Sequence, residues 1–379
     1  MAVKVERPNE KLGQRVIVIS DIHADLKAFL MLLKKINFSE QDILILLGDM
    51  VEKGESSLAL LHYVMELKKT HTVYAVCGNC DAIAMEVLKD TKNEELLKYI
   101  LLRKQTLIGE MCREAGIELN RGTDMAKAKK VLREVYQEEI NFIFELPHII
   151  EMGQYVFAHA AVYPNRMEEM KPSQAMKADD FMNQGYCFEK YHVVGHWPTS
   201  LYCKEIPNCN PRIDKENKII SIDGGNVLKR DGQLNALIIP DLTKEEVNFT
   251  YVDQLRKAKV LNTQEAGEKS FCIPWTDSLV ELLRTEKDFT YCEHISSGNK
   301  MWIPNSYLCE ERDGWHTEDI SNYQIPLTYG DIVSVTEETS RGYLVKKNGI
   351  IGWYYGMLEF LSEGDVSNYS TYGMIIREG

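Results

Sequence analysis

Three short, almost unbroken apolar runs decide what this chain can fold into. They are RVIVIS from Arg15 to Ser20, ILILL from Ile43 to Leu47, and TVYAV from Thr72 to Val76. Runs of this kind suit strands buried on both faces, because neither face has to meet water. Between them lie segments with helical period. Leu26 to Lys35 carries Leu26, Phe29, Leu30 and Leu33 on one stripe, a second helix runs from about Ser57 to Lys69, and another begins near Asp81. Strand and helix in strict alternation predict βαβ units and a sheet with a parallel component.

The remainder divides by character. Residues 93 to 143 read as helical, with Leu96, Leu97, Ile100 and Leu101, then Ala128, Val131, Leu132 and Val135, at helical spacing. Gly122 breaks the stretch into two helices, and Thr123 or Asp124 is placed to cap the second. After Pro147 the segments HIIEM, YVFAHA, YHVVGH, KIISID, NALIIP and VNFTYV read as short strands separated by Gly, Asn and Asp. A charged stretch, 254–270, reads as a partly helical linker. Beyond it, 271–379 is rich in Tyr and Trp and contains four brief strands with an Asn348-Gly349 hairpin signal. A small β-barrel is the natural expectation there.

Size and composition set outer limits. A chain of 379 residues is long enough for two cores. With a formal net charge of -13, it repels phosphate backbones unless a local basic patch intervenes, and no such patch is visible in the sequence. Nucleic acid is therefore not an expected partner. No run approaches the roughly 18 apolar residues that span a bilayer, and the opening MAVKVERPNE has no apolar leader core. The nine cysteines are odd in number and scattered. Together these features lead us to expect reduced thiols, a cytoplasmic location and no membrane partner.

The strand ends carry the chemistry. The first run stops at Ser20-Asp21-Ile22-His23, the second at Gly48-Asp49-Met50-Val51-Glu52-Lys53-Gly54, and the third at Gly78-Asn79-Cys80-Asp81. In open α/β sheets, sites form beyond the carboxyl ends of strands, so three such clusters can converge. His159 ends YVFAH and His196 follows Val193-Val194-Gly195, adding two imidazoles at strand ends. Carboxylate, imidazole and amide oxygen together suit divalent ions such as Mn, Fe, Co or Zn. Each motif alone is weak, since Asp21 could simply cap the next helix. Five clusters at five strand ends are much harder to ascribe to chance.

Taken in order, DIHAD, GDMVEKG, GNCD, FAHAAV and VVGHWPT resemble the metallophosphoesterase (calcineurin-like) superfamily, and within it the bacterial phosphoprotein phosphatases and symmetrical diadenosine tetraphosphatases. The resemblance covers about residues 13 to 250, including the late IISIDGG strand. It implies an α/β fold, a two-sheet β-sandwich flanked by helices, over 1–253. It implies two divalent ions, Mn first, with Fe, Zn, Co or Ni as alternatives. Asp21 and His23 would bind the first ion, Asp49 would bridge both, and Asn79, His159 and His196 would bind the second. A metal-bound hydroxide would attack phosphorus directly, with a phosphorylated small molecule or a phosphoprotein as substrate.

The chain departs from that pattern close to the ions. Pro198 stands where many phosphodiesterases of the superfamily have a second His. Phosphoprotein phosphatases usually read GNHE, with that His as general acid and an Asp orienting it. Here Cys80 takes the His position, Glu52 the orienting position and Asp81 the Glu position. A thiol fits the acid's role less well than imidazole. Lys53 stands in for a phosphate-gripping Arg and offers a point charge instead of a bidentate fork, and Arg166 is a possible substitute. Cys77 and Cys80 form a CxxC, which admits a redox reading.

Three functions remain open at this level: a phosphatase with Cys80, Glu52 and Lys53 around the ions, a phosphodiesterase or dinucleotide polyphosphatase, and a catalytically weak binding or scaffold protein. The C-terminal part resembles bacterial SH3-like domains. That implies a peptide ligand, with Trp302, Trp315, Trp353, Tyr354 and Tyr355 as either a binding groove or core.

Overall fold

The computed structural model describes residues 2–9, 13–103, 105–164, 167–362 and 376–377. The chain divides into two compact units: 1–198 with 211–252 and 374–379, and 199–210 with 253–373.

The first unit is built on two six-stranded sheets. In one, Val16–Ile19, Ile43–Leu46 and Thr72–Ala75 run parallel in register, with Ile19 opposite Leu46 and Leu46 opposite Ala75. Leu234–Ile239, Asn248–Val252 and Ile376–Arg377 extend that sheet. The other contains Val5–Glu6, Ile149–Met152, Tyr155–Ala158, Tyr191–Val194, Ile219–Ser221 and Arg212–Asp214.

The alternation along each strand explains the layering. Val16, Val18, Ile43 and Ile45 share a core with Phe157, Tyr191, Val193 and Ile220 of the opposite sheet. Ile17, Ile19, Leu44 and Leu46 face the other way, into a core with Phe29, Leu32, Leu58 and Leu61 from the helices. Both faces are buried, so period-2 alternation of polarity is absent and the runs are uniformly apolar. The expected two-sheet sandwich flanked by helices is the observed architecture.

Two local expectations change. Asp25, not Asp21, caps the helix Leu26–Lys35, accepting from Ala28 N at 2.9 Å and leaving Asp21 free for another role. The stretch expected as two helices is four: Asn93–Leu102, Leu107–Glu114, Met125–Val135 and Gln137–Glu145. Thr106 starts the second of these by accepting from Gly109 N at 3.0 Å. Asp124 caps the third, as the sequence allowed.

The second unit is largely strands. One five-stranded sheet comprises Leu279–Thr285, Phe289–His294, Lys300–Pro304, Leu308–Glu311 and Gly314–Thr317. Another comprises Arg256–Val260, Ile332–Thr339, Gly342–Lys347, Ile350–Tyr354 and Leu358–Phe360. The hairpin at Asn348-Gly349 has the two positive φ values, 51° and 77°, of a tight primed turn. Cys272–Ile273 and Ile320–Ser321 pair as a third, two-stranded sheet, so the described part of the stretch expected to be one barrel holds several sheets, while 363–375 and 378–379 lie outside the described residues. Within the expected linker, Arg256–Val260 is a strand, not a helix. Ala258 and Val260 are buried while Arg256 is exposed, so the charge of RKAKV hid a short alternating pattern.

The aromatics expected as either groove or core are both. Tyr354 is fully buried and Trp353 nearly so, whereas Tyr355 is exposed. Trp302, Trp353, Tyr355, Tyr291 and Arg341 line a cavity of about 310 Å³ in this unit.

Asp253 and Lys346 form a buried pair, 3.2 Å apart, with Lys257 Nζ and Ser334 Oγ also on Asp253. Burial opposes the charge on Asp253, but Lys346 and Lys257 outweigh it and hold its pKa down to about 2. The stabilisation is therefore complete above the ordinary carboxylate pKa of ~3.9 and is lost as pH falls through the folded value. Asp253→Ala removes a buried counter-charge from Lys346 and Lys257 and should lower stability in denaturant unfolding by up to roughly 3–5 kcal/mol at neutral pH.

Candidate metal centre

Parallel pairing in register brings three strand ends of the first sheet level with one another, so the loops that follow them meet. Backbone bonds lock those loops together: His23 N to Asp49 O at 2.9 Å, Ala24 N to Met50 O at 2.7 Å, and Asp21 N to Gly48 O at 3.2 Å. From the facing sheet, His159 follows Tyr155–Ala158 and His196 follows Tyr191–Val194, with Gly195 N donating to His159 O at 2.8 Å.

The side chains converge. His23 Nε2 lies 3.8 Å from Asp21 Oδ1 and 3.9 Å from Asp49 Oδ2. His159 Nε2 lies 3.4 Å from Asp49 Oδ1 and 3.3 Å from Asn79 Oδ1. The rings of His159 and His196 are 5.1 Å apart. Asp49 belongs to two clusters of potential ligand atoms, His23–Asp49–Cys80 and Asp21–Asp49–His159, each with its atoms within 4.8 Å of one another. Asp21, His23, Asp49 and His159 are all essentially inaccessible to water.

The backbone is strained to achieve this. Asp21, His23, Asp49 and His196 all have φ between 48° and 66°, in the left-handed region. Each such non-glycine residue costs of order 1–3 kcal/mol unless its surroundings enforce it, and such residues gather at functional sites. Close approach also demands Gly195, where a Cβ would collide with Ser20 Oγ and Asp21 Oδ2. Ser20 Oγ and His196 N both donate to Asp21 Oδ2, which leaves Oδ1 to face His23.

Electrostatics sort the buried groups. Burial works against the charge on Asp49, yet His159 and His23 overcome it and hold its pKa below the usual range. Burial lowers His23 to about 4, so that imidazole is neutral. Burial also lowers His196. His159 is raised, because Asp49 and Asp21 outweigh desolvation. Burial, reinforced by Asp49, raises Asp81 to about 7.

The donor set fits divalent ions. His159 Nδ1 sits 2.7 Å from Leu47 O, which fixes the tautomer and turns the Nε2 lone pair inward. Asn79 Oδ1 then faces two imidazole nitrogens, and among protein groups alone the crowding is relieved only by turning the amide to donate to His196 Nδ1 at 3.0 Å. A cation relieves it with the oxygen left in place. Two carboxylates and a buried neutral His23 beside them also suit a cation better than one another.

The expected surrounding residues divide. Lys53 Nζ lies 3.4 Å from His23 Nε2, at the edge of the centre. Cys80 is buried, and burial, then Asp49, pushes its thiol well above the ordinary range, so it stays protonated. Glu52 does not orient Cys80. It accepts from Tyr99 Oη and Leu107 N, each at 2.7 Å, which uses both its oxygens. Its longer side chain reaches the helices instead. Cys77 and Cys80 are free thiols, and Arg166 lies outside the described residues.

Two buried carboxyls carry more than the sequence suggested. Asp81 accepts from Met50 N and Gly78 N at 3.0 and 2.9 Å, buckling the second loop to the third. Asp223, in the IISIDGG segment, accepts from Gly225 N at 2.7 Å, while its Oδ2 is buried without a partner. Burial, then Asp21, keeps its pKa well above the usual carboxylate range. An Asp in an apolar strand end was the available signal for Asp223, but no paired His or Gly-Asp spacing singled it out.

Gly195→Ala should displace Asp21 and His196 together. We expect Mn affinity to fall by roughly ten- to a hundredfold, as for other losses of ligand support, in isothermal titration. Gly13→Ala, where a Cβ meets nothing within 4 Å, should bind as the unaltered protein does.

Residues 14–133 match the calcineurin-like phosphoesterase family. Two curated relatives are both named Bis(5'-nucleosyl)-tetraphosphatase, symmetrical. The one from Glaesserella parasuis is 41% identical over 20% of this chain and 27% of its own length. The one from Buchnera aphidicola is 34% identical over 24% of this chain and 34% of its own length. The chain thus spans about a third or less of the length of these relatives. A cold-active protein-tyrosine phosphatase from a psychrophilic Shewanella is similar in structure, with a TM-score of 0.42 and 14% identity over 65% of this chain and 79% of its own. The stretch that supplies Asp21, His23, Asp49 and Asn79 thus lies within the residues that match the calcineurin-like phosphoesterase family model.

Proposed function

We propose that the first unit is a phosphoester hydrolase that works with two divalent ions. The observation that carries this reading is the position of Asp49, shared between two clusters of ligand atoms. Asp21 and His23 would hold the first ion, Asn79, His159 and His196 the second, and Asp49 would serve both. Bound there, such ions supply Lewis acidity at phosphorus and a nucleophilic water at neutral pH. Mn is the first candidate, with Fe, Zn, Co or Ni as alternatives.

The chain's own groups do the rest. The strand-end loops orient the donors before substrate arrives, so reorganisation at the moment of reaction is small. Lys53 attracts a phosphoryl oxygen as a point charge. Cys80 keeps its proton, because burial and Asp49 raise its thiol, and the Glu52 oxygens are bonded to Tyr99 and Leu107. Leaving groups that depart with little protonation are therefore favoured. This supports dinucleotide polyphosphates or diesters over serine or threonine phosphates, and the names of the two tetraphosphatase relatives point the same way. A weakly catalytic scaffold is the reading that bound ions without turnover would favour.

For the second unit we propose an SH3-like, peptide-binding role, with the aromatic cavity of about 310 Å³ as the docking cleft.

With added Mn, the protein should hydrolyse p-nitrophenyl phosphate, bis-p-nitrophenyl phosphate and diadenosine tetraphosphate, most rapidly the last. Asp49→Asn should lower every rate by at least about a hundredfold, since it weakens the carboxylate both ions share. Cys80→His should raise the monoester rate selectively, by up to roughly a hundredfold if an acid is what is lacking. Unchanged activity in Asp49→Asn would remove the site assignment.

A further inference from the structure

Four buried carboxyls, Asp21, Asp49, Asp81 and Asp223, surround the centre. A substrate that carries phosphates beyond the one being cleaved brings further negative charge to the site where Lys53 lies. A second cation, Arg103, belongs to a segment bonded to the loop that carries Lys53.

Arg103 follows the helix Asn93–Leu102. Its guanidinium lies 4.4 Å over the Tyr99 ring, and its Nη1 donates to Tyr99 Oη at 3.4 Å. Tyr99 Oη in turn donates to Glu52 Oε2 at 2.7 Å, and Glu52 is the neighbour of Lys53. Two further bonds strap this segment to the metal loop: Leu107 N to Glu52 Oε1 at 2.7 Å and Lys53 N to Gln105 O at 3.2 Å. Electrostatic coupling agrees with the geometry, since Arg103 acts on Glu52 while Cys80, inside the centre, acts on Tyr99.

Arg103 is exposed, and among the described residues it forms no ion pair. Its other N–H groups have no protein acceptor among those residues. Arg7, Arg15, Arg133, Arg284 and Arg341 are differently placed, each paired with a carboxylate. A guanidinium stacked on a tyrosine, with free N–H edges beside a cation-binding centre, matches a phosphate oxygen pair in shape and charge.

We propose that Arg103 binds a substrate phosphate other than the one being cleaved, and so selects polyphosphate esters over lone monoesters. Tyr99 and Glu52 position it, because they tie its helix end to the loop that carries Asp49 and Lys53. The proposal rests on the hydrolase reading for what is cleaved, but not for what is bound.

The test is calorimetric binding to the full-length, Mn-loaded protein, with β,γ-methylene-ATP as a polyphosphate probe and AMP as a single-phosphate probe. Arg103→Ala should weaken the polyphosphate probe by roughly ten- to a hundredfold, the value of a charge-assisted contact, and AMP by far less. Arg103→Lys should fall between, because it keeps the charge and loses the fork. Equal polyphosphate affinity in Arg103→Ala and the parent, an equal loss for both probes, or no polyphosphate binding by the parent would each overturn the proposal. A parent that binds the probe through Arg103 but hydrolyses no phosphoester would instead overturn the hydrolase reading and leave Arg103 in place.

Discussion

The structure depends on buried carboxylates and imidazoles brought together at the ends of parallel strands. Two carboxylates, Asp21 and Asp49, are held out of water within reach of His23, and Asn79 and two more imidazoles aim lone pairs into the same region. Burying like charges without compensation is costly. Left-handed backbone at Asp21, His23, Asp49 and His196 adds strain. What tolerates this is the stiffness of two apolar sheets packed face to face, with Asp81 and the strand-end backbone bonds holding the loops in position. On the proposed reading, a pair of divalent ions would turn the same arrangement from a liability into a stable centre.

Much of this was legible in the sequence because it follows from short-range rules. Runs buried on both faces have to be apolar throughout, so VIVIS and ILILL announced parallel strands. Ligand motifs at the ends of those runs announced a convergent site, since parallel strands in register bring their ends level. Asp49 stands in both clusters of potential ligand atoms, and that position is the ground on which its bridging role is proposed. The helical stretch was legible as helix but not as four helices, because Thr106 and Tyr136 interrupt it without the glycine that marked Gly122.

What the sequence concealed depends on side-chain reach and on distant partners. Glu52 occupies the position of an orienting carboxylate, but it is one methylene longer than Asp and finds Tyr99 and Leu107 on the helices. Tyr99, Asp223 and Arg103 carry no motif, and their neighbours are set by the fold. In the second unit, the strand Arg256–Val260 was hidden by its lysines and arginine, which alternate with two buried residues. Its partner strand lies more than seventy residues away, beyond the range of a pattern read along the chain.

The claim on which the account stands is that this chain holds two ions with Asp49 between them. Anomalous diffraction from crystals grown with Mn tests it most directly. The account predicts two Mn peaks in the first unit, one touched by Asp21 and His23, the other by Asn79, His159 and His196, and both by Asp49. A single peak, or Mn bound away from Asp49, would contradict it.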